Sequence, residues 1–398
     1  MCEKSMSFLN TFDSIKKFGP FKPHSVDIDN IVFKLHYRVT VAILLVCSVL
    51  VTSRQYIGEH IRCLTDKSIA ENVINTYCFF MSTFTVNKHH DAKMVDSFAI
   101  PHPGVGPYGI GSKEAIQNHT YYQWVPFVLF FQALMFYVTR KLWKVWEGNR
   151  IKNLADTLEA TAYSYLDKPL EHNGVKIPSS KEREEAINRI KLSFVDRLYV
   201  NRSWARYLII CEILNVLHVI VQFYLTDKFL NNSFLTLGFT MMREGINSSV
   251  TVFDRVFPKV TKCSFRKYGP SGSIQEHDTM CIMALNIINE KIYGFLWFWF
   301  VFLLFVSAMG LIWRILTFIL YSRSRTFNRI VYSNTSPGKL NPWNGPKVTY
   351  YSNFSEWLFL KYLSKNVDGL VFKEIVLGIA EDIQEKKPLA SEYNNCTY

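Results

Sequence analysis

Four of the eight cysteines, Cys63, Cys78, Cys263 and Cys281, lie in two polar stretches. Cys47 and Cys211 lie in apolar runs, and Cys2 and Cys396 lie near the two ends of the chain. Paired thiols can form disulfides or hold a soft metal. The sequence has no CxxC pair and no ligand spacing of the zinc type, so we expect no metal and no cofactor. Two cysteines in each polar stretch, and none matched elsewhere, fit an oxidising exterior and a reducing cytosol. Four cysteines allow three connectivities. Pairing within each stretch staples each one separately, whereas pairing between them welds both into one cap. The residues alone leave this open.

Other candidate chemistry is weaker. His89-His90-Asp91 offers metal-ligand types, but reads as a solvated loop. Gly104-Val105-Gly106-Pro107-Tyr108-Gly109 has dinucleotide-fingerprint spacing, yet it holds a proline and lacks the flanking strand and helix. No P-loop, HExxH or nucleophile elbow occurs, so no enzyme is expected. Glu212 and His218 sit inside an otherwise apolar run. An acid there is costly unless it faces protein or water. Glu212 is expected to pair with Arg206 or with another helix, and a part in gating is the alternative. His218 is expected to hydrogen-bond between helices.

The elements that position these residues are membrane spans. Aromatics make up 15% of the 398 residues and charged residues 20%, yet the mean hydropathy is only +0.05. Large polar regions therefore offset clustered apolar ones. Val39–Ser53 has 15 uncharged residues between two arginines, and Ile292–Trp313 has 22. Tyr121–Thr139 is also uncharged, and Tyr207–Thr226 is interrupted only by Glu212 and His218. Four transmembrane helices follow. The two end regions and the 140–206 loop hold 31 of the 45 lysines and arginines, which places both termini and that loop in the cytoplasm. The net charge of +12 then reflects orientation and anionic lipid. The bases are too dispersed for a nucleic-acid partner. With no cleavable leader apparent, the first apolar run acts as a signal anchor.

Finer signals fill in the polar regions. Phe257–Phe265 alternates, and Gly269-Pro270-Ser271-Gly272 reads as a turn, so a small sheet is expected there. Residues 2–18 carry Phe8, Phe12, Ile15 and Phe18 at near-helical spacing. Ser179 with Glu182, and Asn353 with Glu356, have capping-box spacing. The first box opens a helix with Ile187, Ile190, Phe194 and Leu198 on one face. The second opens one through about Leu363. Phe372, Ile375, Val376 and Ile379 mark a third. Residues 322–352 read as a linker, and the polar tail after Glu385 as disordered. Asn118, Asn231 and Asn247 begin glycosylation sequons in the outer segments.

The run Tyr121-Tyr122-Gln123-Trp124-Val125 stands where a glycine-rich segment turns apolar. Tyrosine and tryptophan favour that boundary. Further strings are Tyr37-Arg38-Val39-Thr40, Thr52 to Gly58, Val125 to Gln132, Phe257 to Cys263, Gly269 to Ser273, Asn289 to Tyr293 and Phe295 to Phe300. Through them the chain resembles the innexins, the invertebrate gap-junction proteins. Pannexins share two cysteines per loop but lack the Tyr121–Val125 string. Two departures stand out. Glu59-His60 occupies the place of a usual Asp-Pro, and Thr139 replaces a proline that would kink the second span. Such drift suits a specialised insect member or a virus-carried relative.

The resemblance implies nested pairing, Cys63–Cys281 and Cys78–Cys263. It implies an N-terminal helix folded into the pore mouth, with Met6, Phe8, Leu9 and Phe12 facing the pore; by chemistry alone that helix would lie on the membrane surface. It also implies a homo-oligomer, an octameric hemichannel docking with one on an adjacent cell, and other innexins as partners. The expected fold is a mainly α membrane protein: four transmembrane helices, a small disulfide-linked extracellular α/β cap and a helical cytoplasmic dome. Expected boundaries are 1–36 N-terminal pore helix and linker, 37–54 first span, 55–120 first extracellular loop, 121–139 second span and 140–206 cytoplasmic loop. Then come 207–226 third span, 227–291 second extracellular loop, 292–320 fourth span and 321–398 C-terminal region. The expected function is a gap-junction subunit at the plasma membrane. A non-junctional hemichannel and a structural adhesion protein are the rival readings.

Overall fold

The computed structural model describes residues 26–57, 61–65, 69–108, 114–155, 170–172, 175–177, 181, 185, 198–244, 252–335, 353–367, 369 and 372–376. The helix expected over 2–18 and the Ser179–Glu182 box lie outside these residues. Four helices have the length and apolarity to cross a membrane. They are α1 (Ile31–Ile57), α3 (Val125–Glu147), α4 (Leu198–Phe229) and α6 (Ala284–Arg323). Between them lie α2 (Glu71–Met81) and α5 (Phe234–Glu244), and α7 (Arg325–Thr335) and α8 (Phe354–Asn366) follow. At 1.5 Å per residue, the 40-residue α6 extends about 60 Å, roughly twice the thickness of a hydrocarbon layer. It therefore runs well past its apolar stretch at both ends.

The chain divides into two compact units. One comprises Leu35–Val138 and Asn215–Ser307. Its helical core packs Leu44 and Val51 of α1, Leu129 and Phe136 of α3, Val219 and Phe223 of α4, and Leu296 and Phe300 of α6. Aromatic rings dominate it: Phe223, Phe234 and Phe300 meet at centroid distances of 5.7–6.4 Å. The residues Leu35–Thr40 of α1 form a π-turn, closed by the Thr40 hydroxyl donating to the Leu35 carbonyl at 2.9 Å. The Trp299 indole N–H of α6 donates to the same hydroxyl at 3.0 Å, so the widened turn is pinned by a neighbouring helix. Thr139 lies within α3, whose helical residues run unbroken from Val125 to Glu147.

The same unit holds a five-stranded antiparallel sheet in the order β1-β7-β6-β2-β3, while β4 (Leu170–His172) and β5 (Val175–Ile177) pair with each other in the other unit. Strands β6 (Val260–Tyr268) and β7 (Ile274–Ile282) form the expected hairpin. Gly272 takes φ +78° at its turn, a conformation that suits glycine. The strand starts at Val260 rather than Phe257 because Pro258 has no N–H to give the ladder. Three strands from the earlier segment complete the sheet: β1 (Arg62–Leu64), β2 (Thr83–Val86) and β3 (Ile116–His119). Their short, mixed sequences gave no period to read.

The other unit comprises Met1–Lys34, Thr139–Leu214 and Ala308–Tyr398. Trp204 is buried here against Trp143, Phe359 and Tyr362. Asn353 and Glu356 form a capping box at the start of α8. The Trp357 indole of α8 donates to Asn328 of α7 at 2.8 Å. Phe372, Ile375 and Val376 are buried, with Phe372 on Tyr332.

In the sheet-bearing unit, Gly238 of α5 lies flush on the Trp297 indole, where an added Cβ would run into the ring. The indole N–H also donates to the Leu235 carbonyl at 3.3 Å. We expect Gly238→Ala to lose about 1–3 kcal/mol through overpacking. A lower melting temperature of the solubilised protein, with a smaller loss when Trp297 is also cut back to Leu, checks this.

Candidate functional site

The four cysteines of the polar stretches form two disulfides, Cys63–Cys281 and Cys78–Cys263. Cys63 of β1 and Cys281 of β7 are direct register partners. Cys78 projects from α2 onto Cys263 of β6. All four are buried with Ile61, Ile74, Phe79, Tyr122 and Met283 in one cluster. Cys63, Cys78 and Cys281 bring their sulfurs within 4.8 Å of one another. Each sulfur is already in a disulfide, so this group has no thiolate to offer a metal.

The run Tyr121–Val125 does more than mark a membrane boundary. Tyr121–Gln123 form a single 3-10 turn before α3. Tyr122 is fully buried, and its hydroxyl donates to the Phe79 carbonyl at 2.8 Å. The Gln123 amide donates to the same carbonyl. The end of the cysteine-bearing helix α2 is thereby clamped to the start of α3, supplying donors for its orphan carbonyls. Tyr121 packs edge-on against Phe229 and Phe257. Val125 is buried, and Trp124 alone of the five points outward, 60% exposed. Only Trp124 thus has the environment of an interfacial aromatic.

Three histidines fold together beside the sheet. His89, His90 and His119 are all buried, so His89-His90 is not the solvated loop that its sequence suggests. The Thr85 hydroxyl lies 2.8 Å from His119 Nε2 and 3.3 Å from His90 Nε2. One hydroxyl proton serves two imidazoles, so one ring accepts and the other donates. Gly104 and Gly106 lie against the His90 and His89 rings, where a Cβ would clash. Gly104 and Gly106 therefore serve close packing. Lys262 of β6 holds the loop from its other side, donating to the Gly106 carbonyl at 2.8 Å and pairing with Asp278 at 2.7 Å.

Within the spans several polar residues find protein partners. The His36 ring lies 2.8 Å from the Ser307 hydroxyl, which itself donates to the Leu303 carbonyl. His218 makes its hydrogen bond within α4, with the Gln222 amide at 3.0 Å, and its ring meets Phe136 of α3 at 4.5 Å. The expected interhelical hydrogen bond comes instead from Gln132 of α3, donating to Thr226 of α4 at 2.8 Å. In the other unit, Glu212 of α4 accepts two guanidinium hydrogen bonds from Arg314 on α6, at 2.5 and 2.9 Å. The Asn30 amide donates to it as well at 2.7 Å. Of the two expected partners the structure takes the other helix, through Arg314, and not Arg206, because a helix neighbour at i−6 faces away. Met6, Phe8, Leu9 and Phe12 lie outside the described residues. Sequence reading missed Asn30, Arg314 as a partner rather than a boundary, and Gln132, whose only signal was its place in the Val125–Gln132 string.

Four membrane-length helices, with connections folded into one disulfide-tied sheet, define a four-span membrane protein. The innexin family model matches residues 29–383. Innexin inx7 of Drosophila melanogaster is 47% identical over 380 residues, covering 94% of this chain and 85% of that protein. Innexin inx2 of Schistocerca americana is 41% identical over 397 residues, covering 95% and 99%. Innexin shaking-B of Drosophila melanogaster is 35% identical over 378 residues, covering 94% of each. The chain belongs to the innexin family, whose members form gap-junction channels between cells and are not enzymes.

Burial pushes the His119 imidazole down to about 4, with nearby His90 adding to the effect. The folded protein keeps it neutral, whereas the unfolded chain binds a proton below about 6.5. This stabilisation is complete above pH 6.5 and is lost as pH falls toward 4, by up to about 3 kcal/mol. We expect amides of β2 and β3 to exchange faster at pH 5 than at pH 7 after correction for intrinsic rates. The difference should shrink in His119→Gln. For the second network, Glu212→Gln leaves the Arg314 guanidinium buried without its counter-charge and should cost about 3–5 kcal/mol. Melting temperatures of Glu212→Gln, Arg314→Met and the Glu212→Met/Arg314→Met pair check this, the pair being milder than Glu212→Gln.

Proposed function

We propose that this chain is the pore-forming subunit of a gap-junction channel that passes ions and small metabolites between adjacent cells. Membership of the innexin family over residues 29–383 carries the reading. Between 28% and 39% of each span's most apolar window is buried within the chain, so most of the span surface is left for lipid and sister subunits. Eight copies form a hemichannel around a wide aqueous axis, and other innexins can join it. A wide pore accords with the absence of any selectivity-filter string. Both termini and the 140–206 loop are cytoplasmic, following the distribution of bases. The sheet with its two disulfides then lies outside the cell, where two hemichannels dock. Met6, Phe8, Leu9 and Phe12 line the pore mouth in this reading.

Dual whole-cell recording from pairs of expressing cells tests the proposal. Junctional current is the expected result. Absent current, with glycan on Asn231 or Asn247 and recovery after Asn→Gln there, would replace it with a hemichannel open to the exterior. Adhesion without any conductance would leave a structural role.

A further inference from the structure

A groove of about 450 Å³ lies between the start of α3 and the end of α4. Its rim is polar. Lys228, Asn118 and Asn231 face into it. The Lys228 ammonium donates to the Asn232 side-chain oxygen at 2.9 Å and stands 5.7 Å from the Tyr224 ring centroid. Both partners are neutral, and no carboxylate lies within 4.0 Å of it among the described residues. Its positive charge is therefore available to an anion. The floor is apolar, made by Trp124, Val128 and Phe229. Beyond it, α3 continues with exposed Phe127 and Phe131, and α4 with exposed Val221. Within about one helical turn the surface passes from an uncompensated cation and amides to bare hydrocarbon. Trp124, 60% exposed at that level, marks the interface.

We propose that this groove binds a glycerophospholipid, its phosphate paired with Lys228 and an acyl chain laid along Trp124 and Val128. Lysine as a point charge suits a phosphate oxygen, and its four-carbon stem reaches an interfacial headgroup. A sister subunit is the poorer occupant. An interface core is depleted in lysine, and burying this ammonium without a counter-charge would be costly. The inference needs only the membrane spans and not conduction, so labelling and junctional current can succeed or fail separately.

The full-length oligomer in nanodiscs tests it. Two probes are compared, a phosphatidylcholine and a diacylglycerol, each with a photoreactive diazirine in one acyl chain. Cross-linked peptides are mapped by mass spectrometry. We expect the phospholipid to label peptides spanning 118–131 and 221–231 well above the diacylglycerol. Lys228→Glu should lower that labelling about fivefold, and Lys228→Arg should keep it. An intact Cys63–Cys281 peptide confirms that each variant is folded. Equal labelling by the two probes, or labelling unchanged in Lys228→Glu, overturns the proposal in favour of unspecific acyl contact. Loss of labelling to excess soluble glycerol phosphate overturns it in favour of a free-phosphate site. Labelling of monomers but not oligomers assigns the groove to a sister subunit, and glycan mass on Asn231 assigns it to carbohydrate.

Discussion

Two covalent links between segments far apart in sequence set the terms for the sheet-bearing unit. Cys63–Cys281 spans 218 residues and Cys78–Cys263 spans 185. The first partner of each lies between α1 and α3, and the second between α4 and α6. Joining the two connections therefore ties together the ends of all four long helices. In a chain-entropy estimate, loops this long would give about 5 kcal/mol each. Membrane helices already confine the unfolded chain, so the gain is smaller. The larger effect is on geometry: short strands such as β1, too small to hold a sheet by themselves, become part of one ladder.

Around those links side chains satisfy several further polar groups. Tyr122 and Gln123 satisfy carbonyls at the end of α2. Lys262 spans from the hairpin to the 104–106 loop. Thr85 serves two histidines at once. The contacts of Tyr122 and Thr85 are buried, strong because water is excluded and costly if half-made, and those of Gln123 and Lys262 are part-buried. The cap is thus specified by pairing rather than by a large apolar core, and a buried neutral histidine makes part of it sensitive to acid.

The spans obey a harsher version of the same rule. Hydrocarbon offers no partner to a polar group. Gln132 meets Thr226, His36 meets Ser307, and Glu212 meets Arg314 and Asn30. A channel subunit must hold its helices firmly while leaving much of their surface for lipid and neighbours. A few directional bonds between helices meet both needs, since they fix register without consuming the outer apolar faces.

The number of spans, the hairpin and the family were legible in the sequence, because each rests on local composition or on an ordered string; the helices themselves run past the apolar runs, as α3 does to Glu147 and α4 from Leu198, where polar residues continue the helix. The uncharged run to Trp313 needs no tertiary information to be read as a span, nor does Gly272 as a turn. Partners across the chain were a different matter. Glu212 stood out as an anomaly, but nothing within a few residues of it indicated Arg314, which lies 102 positions away. Tyr122 looked like a boundary aromatic until its hydroxyl was seen on the Phe79 carbonyl. His89-His90 looked solvated until glycines 104 and 106 were found against the rings. Sequence fixes what must be buried or bonded, since that follows from each residue's own chemistry. Which group does the burying is decided by the packing of distant segments, and only the folded chain brings those together.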